Sequence, residues 1–144
     1  MVENKMEGTM SAWRRKAMEL FYDARFHFTQ KDDTVYSLLL ELHIRLDELH
    51  RNNDTFELTK IYNYVEWCFH QGNRSHYLCN AAAVGFYEHL VDDEITRNAI
   101  PYWVKPDIFE AVQSLFEWRL ENKLALYIEL VMEYNKINNT QFIS

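Results

Sequence analysis

Apolar residues recur at spacings of three and four along most of this chain, which is the period of an α-helix with one buried face. The clearest case follows Asp32, Asp33 and Thr34, any of which can cap the start of a helix. The polar run at residues 51–53 ends it. The pattern predicts an amphipathic helix with a leucine-rich buried face. Its apolar positions are Val35, Leu38, Leu39, Leu42, Leu46 and Leu49.

Three further helices are predicted in the first two thirds of the chain from caps and apolar spacing. The caps are Ser11 for the first helix, Asp54 or Thr55 for the third and Ser75 for the fourth. The fourth helix contains small residues at 81–83 and Gly85. A glycine inside a helix costs about 1 kcal/mol relative to alanine. We therefore expect another helix to approach Gly85 closely.

The last third of the chain is less regular. Between Val91 and Lys105 the helical period fails, and we expect a loop or a short helical turn there. Pro106 suits the first position of a new helix, where its missing N–H has no helical partner to lose. A last helix is expected from about Leu120 to Asn135. Whether it continues from the preceding helix or breaks near residues 121–122 stays open.

Composition agrees with a helical fold. The 144 residues include 3 glycines and 2 prolines, and 48% are hydrophobic. We expect an all-α, single-domain bundle of about five to seven antiparallel helices over residues 1–144. The second and third helices, and the fourth and sixth, are expected to form hairpins. Residues 1–8 and 138–144 are expected to fray.

The charge of the chain limits its partners. It has 15 Lys and Arg against 22 Asp and Glu, a formal net charge of −7. This balance disfavours direct binding to nucleic acid, because phosphates attract basic groups. It is compatible with a basic protein partner.

The sequence also bears on location. No apolar run approaches the ~20 residues needed to cross a bilayer, and the N-terminal residues lack the apolar core of a secretory signal. Cys68 and Cys79 lie among aromatic and small apolar residues, outside any CxxC spacing. This setting favours two buried thiols in a reducing compartment. We expect a cytoplasmic protein with no membrane segment.

Candidate chemistry is sparse. Six histidines occur, but the paired Glu-x-x-His motif of di-iron bundles and the His-Glu-x-x-His zinc motif are both missing, as is a Gly-x-Ser-x-Gly nucleophile turn. Helical spacing brings together Asp47 with His50 and Glu66 with His70. We expect no enzyme activity, no metal and no cofactor. A small metal-dependent hydrolase that uses those pairs is kept as an alternative.

Acidic residues are unevenly distributed. Between Ser75 and Thr96 the chain has no Lys or Arg. One interpretation is a solvated loop whose aromatic residues pack back into the core. The other is a protein-binding edge, on which carboxylates steer a basic partner and aromatic rings anchor it. The candidate partner-binding residues are Glu88, Asp92, Asp93, Glu94, Tyr102 and Trp103.

Several segments resemble an uncharacterised family of small helical bacterial proteins. The residues that carry the resemblance are 62–68 (YNYVEWC), 80–81 (NA), 86–90 (FYEHL) and 116–119 (FEWR). Proteins of this size and type are similar to the immunity proteins of polymorphic toxin systems, including contact-dependent growth inhibition. The resemblance implies a cytoplasmic, non-enzymatic protein that binds a cognate toxin domain, commonly a basic nuclease, and covers its active site.

We therefore expect stoichiometric neutralisation of a bacterial toxin domain. The alternative is a generic helical adaptor or scaffold that binds its partner through a hydrophobic groove. The two differ in salt dependence, because charge steering weakens as ionic strength rises and apolar burial does not. The oligomeric state is left open.

Overall fold

Seven α-helices form most of the chain. The computed structural model describes residues 11–27 and 34–144, and no strand occurs in these ranges. The helices are α1 Ala12–Leu20, α2 Val35–Arg51, α3 Thr55–Phe69, α4 His76–Gly85, α5 Glu94–Trp103, α6 Pro106–Arg119 and α7 Leu124–Asn138. Two 3₁₀ helices, Tyr22–His27 and Tyr87–Val91, follow α1 and α4. The predicted single all-α domain is confirmed, and the expected fraying of residues 1–8 lies outside the described ranges.

Three of the predicted caps form. The side-chain oxygens of Thr34, Asp54 and Ser75 accept hydrogen bonds from the backbone N–H three residues later, at 3.4, 3.2 and 3.2 Å. Such bonds satisfy N–H groups that have no partner in the first helical turn. Asn53, with a left-handed φ of 53°, makes the sharp turn between α2 and α3, a conformation that asparagine adopts more readily than most residues.

The core is built around α2. Its leucine-rich face is buried as predicted, and the helix packs against α3, α4 and α5. The close approach at Gly85 is also confirmed, because a β-carbon at this position would lie 3.3 Å from the Tyr36 ring. The fully buried residues of α2 are Val35, Leu38, Leu39, Leu42 and Leu46.

Helix pairing agrees with the prediction in part. α2 and α3 pack together, as expected. The last helix, α7, packs on α5 and α6, whereas α4 packs on α2 and α3, so the expected hairpin of the fourth and the last helix is wrong. Within the described ranges, no helix combines the length and the apolar character needed to cross a bilayer.

The region from 91 to 105 forms α5 rather than a loop. Its buried residues include Thr96, Ile100 and Pro101. Thr96 can occupy a core position because its hydroxyl donates a 2.6 Å hydrogen bond to the Leu90 carbonyl. A polar residue in the buried stripe hides the helical period from a hydropathy pattern. Pro101 is tolerated because α5 ends two residues later, so the missing N–H affects only the last turn.

The C-terminal region consists of two helices and a short tail. α6 and α7 are separate helices joined by residues 120–123, which answers the question left open by the sequence. After α7, the Phe142 ring lies 5.3 Å from the Phe109 ring, and its backbone N–H donates to the Asn135 side chain at 2.8 Å. The tail therefore contacts the bundle through Phe142, at residues for which the sequence predicted fraying.

Candidate functional site

Two of the candidate acidic residues, Glu88 and Asp92, are held by an arginine from another helix. Arg119, the last residue of α6, donates from Nη1 to Glu88 at 3.3 Å and from Nε to Asp92 at 3.2 Å. Its Nη2 donates to the second Asp92 oxygen. Glu88 is 9% exposed, and a carboxylate at that depth is costly without a charged partner. Both carboxylates therefore join the 3₁₀ helix Tyr87–Val91 to α6.

Two histidines lie beside Asp92. His89 Nδ1 lies 3.1 Å from an Asp92 oxygen, and His43 Nε2 on α2 lies 3.2 Å from the His89 carbonyl oxygen. Burial by itself would raise the pKa of Asp92, but hydrogen bonds from Arg119 and His89 lower this pKa below its ordinary value. Burial lowers the pKa of His43. At neutral pH, Asp92 is therefore ionised and His43 is neutral.

Asp93 and Glu94, the next two residues, face solvent at the start of α5. Neither carboxylate has a hydrogen bond or ion pair within the described part of the chain, and Asp93 occupies the N-cap position without a side-chain cap bond. Together with Asp47, Arg51 and Ile95 they line an open depression of about 480 Å³ between α2 and α5. Arg51 pairs with Asp47 at 3.0 Å, so Asp93 and Glu94 carry the uncompensated negative charge.

The two candidate aromatic residues lie at the opposite end of α5. Tyr102 is 64% exposed. Trp103 is half-buried and stacks on Tyr62 at 4.9 Å. Eight residues of helix separate Glu94 from Tyr102, which corresponds to ~12 Å along the axis. The structure therefore brings the four acidic residues to one region but does not place Tyr102 and Trp103 beside them.

The aromatic residue beside the acidic cluster is Trp118, which the sequence analysis did not select. Trp118 is 57% exposed, and its ring lies 5.9 Å from the Arg119 guanidinium that binds Asp92. The buried residues of α6 are Ile108, Phe109, Val112 and Phe116. Trp118 stands two positions after Phe116, off this face. The helical phase of α6 was therefore the signal that could have identified an exposed tryptophan.

We group five exposed or partly exposed side chains on α2, α5 and α6 under one name, the acidic surface. It consists of Ile44, Asp47, Asp93, Glu94 and Trp118. Ile44 is exposed on α2, one turn before Asp47 and therefore on the same side of that helix. The acidic surface thus combines exposed carboxylates with one aliphatic and one aromatic side chain, each on a helix of the bundle.

The two pairs considered for metal or acid-base chemistry, Asp47 with His50 and Glu66 with His70, form hydrogen bonds or ion pairs with other residues instead. Glu66 accepts from Lys105 at 2.8 Å, and Asp47 from Arg51. His70 lies 2.8 Å from Asp107. His50 lies 2.9 Å from the Tyr62 hydroxyl. In residues 11–27 and 34–144, no group of three or more His, Cys, Asp or Glu side chains is arranged to hold a metal ion.

The thiols are in different settings. Cys68 is buried, as expected, and burial raises its pKa to about 12, so it stays protonated at neutral pH. Cys79 is partly exposed rather than buried, although it also is a free thiol. A protonated, buried thiol is a poor nucleophile, so Cys68 serves packing.

The comparison with known families covers most of the helical core. No curated protein and no solved structure matches the chain. A family model described as a domain of unknown function, DUF7674, matches residues 14–119. This segment runs from α1 to the end of α6, includes every residue of the acidic surface and stops before α7. Because the match spans well over half of the 144 residues, the chain belongs to the DUF7674 family.

Proposed function

We propose that this protein is a cytoplasmic immunity protein that binds a cognate bacterial toxin domain and neutralises it by covering its active site. Two independent supports lead to this proposal. One is the resemblance to the immunity proteins of polymorphic toxin systems. The other is the acidic surface, which offers unpaired carboxylates next to exposed anchors. A basic nuclease domain is the partner that suits this surface best.

The observation that carries the proposal is the contrast within the acidic cluster. Glu88 and Asp92 are both ion-paired with Arg119, whereas Asp93 and Glu94 have no internal partner among the described residues. Unpaired surface carboxylates raise the rate at which a basic protein is captured, because they attract it before contact. Trp118, whose ring lies 5.9 Å from the Arg119 guanidinium, supplies a large exposed ring that a partner could fully desolvate, the usual anchor of a tight interface.

Neutralisation of this kind needs binding alone. A standard interface buries about 800 Å² on each partner, which α2, α5 and α6 can supply around the acidic surface. Affinity then depends on a few desolvated anchors, and Trp118 and Ile44 are the exposed apolar residues positioned for that role. The carboxylates contribute mainly to the association rate and to the choice of partner.

The first experiment identifies the partner. The tagged protein is retrieved from its own source cells, and proteins retained in near-equal amount are identified by mass spectrometry. We expect a basic toxin domain whose activity is abolished by one equivalent of the purified protein. Retention of a housekeeping protein, or a captured toxin that remains fully active in the complex, would contradict the proposal and favour the helical adaptor.

The second experiment tests the surface with that partner. In the double variant Asp93→Lys/Glu94→Lys, the association rate constant at low salt is expected to fall about tenfold or more, with less effect at high salt. Asp92 is left unchanged because it binds Arg119. The matched control is Glu19→Lys/Glu110→Lys, which makes the same change of charge at exposed positions outside the acidic surface. Equal association rates for the two double variants would exclude electrostatic capture at the α5 start.

A further inference from the structure

A second surface, on α7, exposes more apolar side chains than any other described helix. Four large apolar side chains of α7 are exposed to solvent: Leu124, Ile128, Met132 and Ile137. The first three follow one another at four-residue spacing and therefore form one stripe along the helix. Buried residues of α7, among them Tyr127 and Val131, form the adjoining side of the helix, which packs on the bundle. An apolar stripe of this length on an otherwise polar exterior marks an interaction site.

The stripe borders a groove between α5 and α7. This groove has a volume of about 720 Å³, and its floor includes the buried residues Pro101 and Leu130. Tyr102 on α5 and Met132 on α7 stand on its two sides, 64% and 65% exposed. Two large apolar groups from different helices thus face solvent across an apolar floor. We call this region the α7 face: the groove together with Ile128 and Leu124.

The charges around the α7 face differ from those of the whole protein. The groove is lined by two cations, Arg97 and Lys136, and two carboxylates, Glu129 and Glu133. Their sum is zero, on a chain whose net charge is −7. Two copies of such a chain repel each other at most orientations, because acidic groups meet acidic groups. A face with balanced charges and an apolar centre is where that repulsion is least.

We propose that the α7 face binds the α7 face of a second copy of this chain, so that the protein is a two-fold symmetric homodimer. In an isologous contact the same patch meets itself, which requires that it be self-complementary. The α7 face has this property, since the carboxylates of one copy can lie opposite the cations of the other. Helix α7 has 15 residues and is ~22 Å long, which is long enough to run through the centre of an interface.

This proposal does not depend on the identity of any toxin. On α5 the groove is lined by residues between 97 and 102, whereas Asp93 and Glu94 precede them at the start of the helix, so the groove does not include these two carboxylates. The α7 face also lies largely outside residues 14–119, the segment matched by the family model. Most of the residues assigned to dimerisation, those on α7, therefore lie outside the segment that the family model matches.

The test measures self-association of the full chain by sedimentation equilibrium. We expect a monomer–dimer equilibrium with a dissociation constant in the micromolar range. Met132→Asp introduces a carboxylate into the apolar stripe and is expected to raise this constant at least ~30-fold. Trp118→Ala, which removes an exposed aromatic residue outside the α7 face, is the matched control and leaves it unchanged. Circular dichroism verifies that both variants are folded.

A charge-exchange experiment distinguishes this face from any other apolar patch that could self-associate. Glu129→Lys/Glu133→Lys makes the α7 face strongly positive, and Lys136→Glu makes it negative. Arg97 is kept because its Nη1 donates to the Val91 carbonyl. Each variant alone is expected to be monomeric, whereas an equimolar mixture forms a heterodimer. A monomeric wild type, or dimerisation that none of these changes affects, would overturn the proposal.

Discussion

The two ends of α5 present opposite kinds of surface. At its start, Asp93 and Glu94 carry unpaired negative charge, whereas at its end Tyr102 borders an apolar groove whose charges cancel. The first surface suits a partner of opposite charge, and the second suits a copy of the same chain. One helix of ten residues thus separates two surfaces that differ in the physical basis of recognition.

Internal pairing, rather than the number of acidic residues, decides which charges are available to a partner. Glu88, Asp92, Asp93 and Glu94 are close in sequence, but the first two are ion-paired with Arg119. On the α7 face, acidic and basic groups are instead balanced between neighbouring side chains.

Replacement of Arg119 should produce the largest effect, a loss of folding stability, because it removes the cation that pairs with Glu88 and Asp92. Arg119→Ala leaves Glu88 and Asp92 facing each other without compensation. Breaking a well-buried ion pair costs 3–5 kcal/mol, and since this one is partly exposed we expect a loss of about 2–3 kcal/mol in the free energy of unfolding. Urea unfolding followed by circular dichroism measures it.

The matched control for that prediction is Arg51→Ala. Arg51 pairs with Asp47 at 3.0 Å, but both side chains are largely exposed. An exposed pair of this kind contributes at most about 0.5 kcal/mol. If the two variants lost equal stability, Arg119 would not be a structural support of the cluster, and Glu88 and Asp92 would have to be counted as available charges.

Two aromatic truncations separate the surfaces from each other. Trp118→Ala should weaken binding of the toxin partner about 30-fold, or about 2 kcal/mol, because a desolvated tryptophan is a typical anchor. It should leave self-association unchanged. Tyr102→Ala should do the reverse. Isothermal titration with the partner and sedimentation of the chain alone measure the two effects. A single variant that weakened both would show that the surfaces are not independent.

The fold was predictable where caps and apolar stripes agreed. The face of α2 from Val35 to Leu46 and the caps Thr34, Asp54 and Ser75 needed no tertiary information. α5 was missed because Thr96 fills a core position through a hydrogen bond to a backbone carbonyl. Such a bond depends on the position of another segment, so no periodicity in the sequence can reveal it.

The candidate site was predictable only in part. Asp93 and Glu94 are exposed as the sequence suggested, and they stay candidates for partner binding. The pairing of Glu88 and Asp92 could not be foreseen, since Arg119 is 27 residues or more away in sequence. Trp103 was a candidate for partner binding, but it is half-buried and stacks on Tyr62. Trp118 could have been found, because it falls off the buried face of α6.

The smallest expected effect is that of pH, and it too distinguishes the two surfaces. Burial lowers the pKa of His43 and of His50 below 6.5 in the folded protein. As pH falls from 7.5 to 5.5, the unfolded chain therefore binds protons that the folded chain does not, and stability decreases. Asp92 acts in a separate window, since its lowered pKa gives stability that is lost only below about pH 4.

His43→Gln should reduce the loss of stability between pH 7.5 and 5.5, because glutamine can still donate to the His89 carbonyl but does not titrate. Urea unfolding at both pH values measures this change. Self-association should stay constant over the same range, since none of the named residues of the α7 face is a histidine, the residue type whose charge changes there. A dimer that dissociated between these pH values while the chain remained folded would place a titrating histidine in its interface. The named residues of the α7 face include none, so that result would assign the dimer contact to another surface.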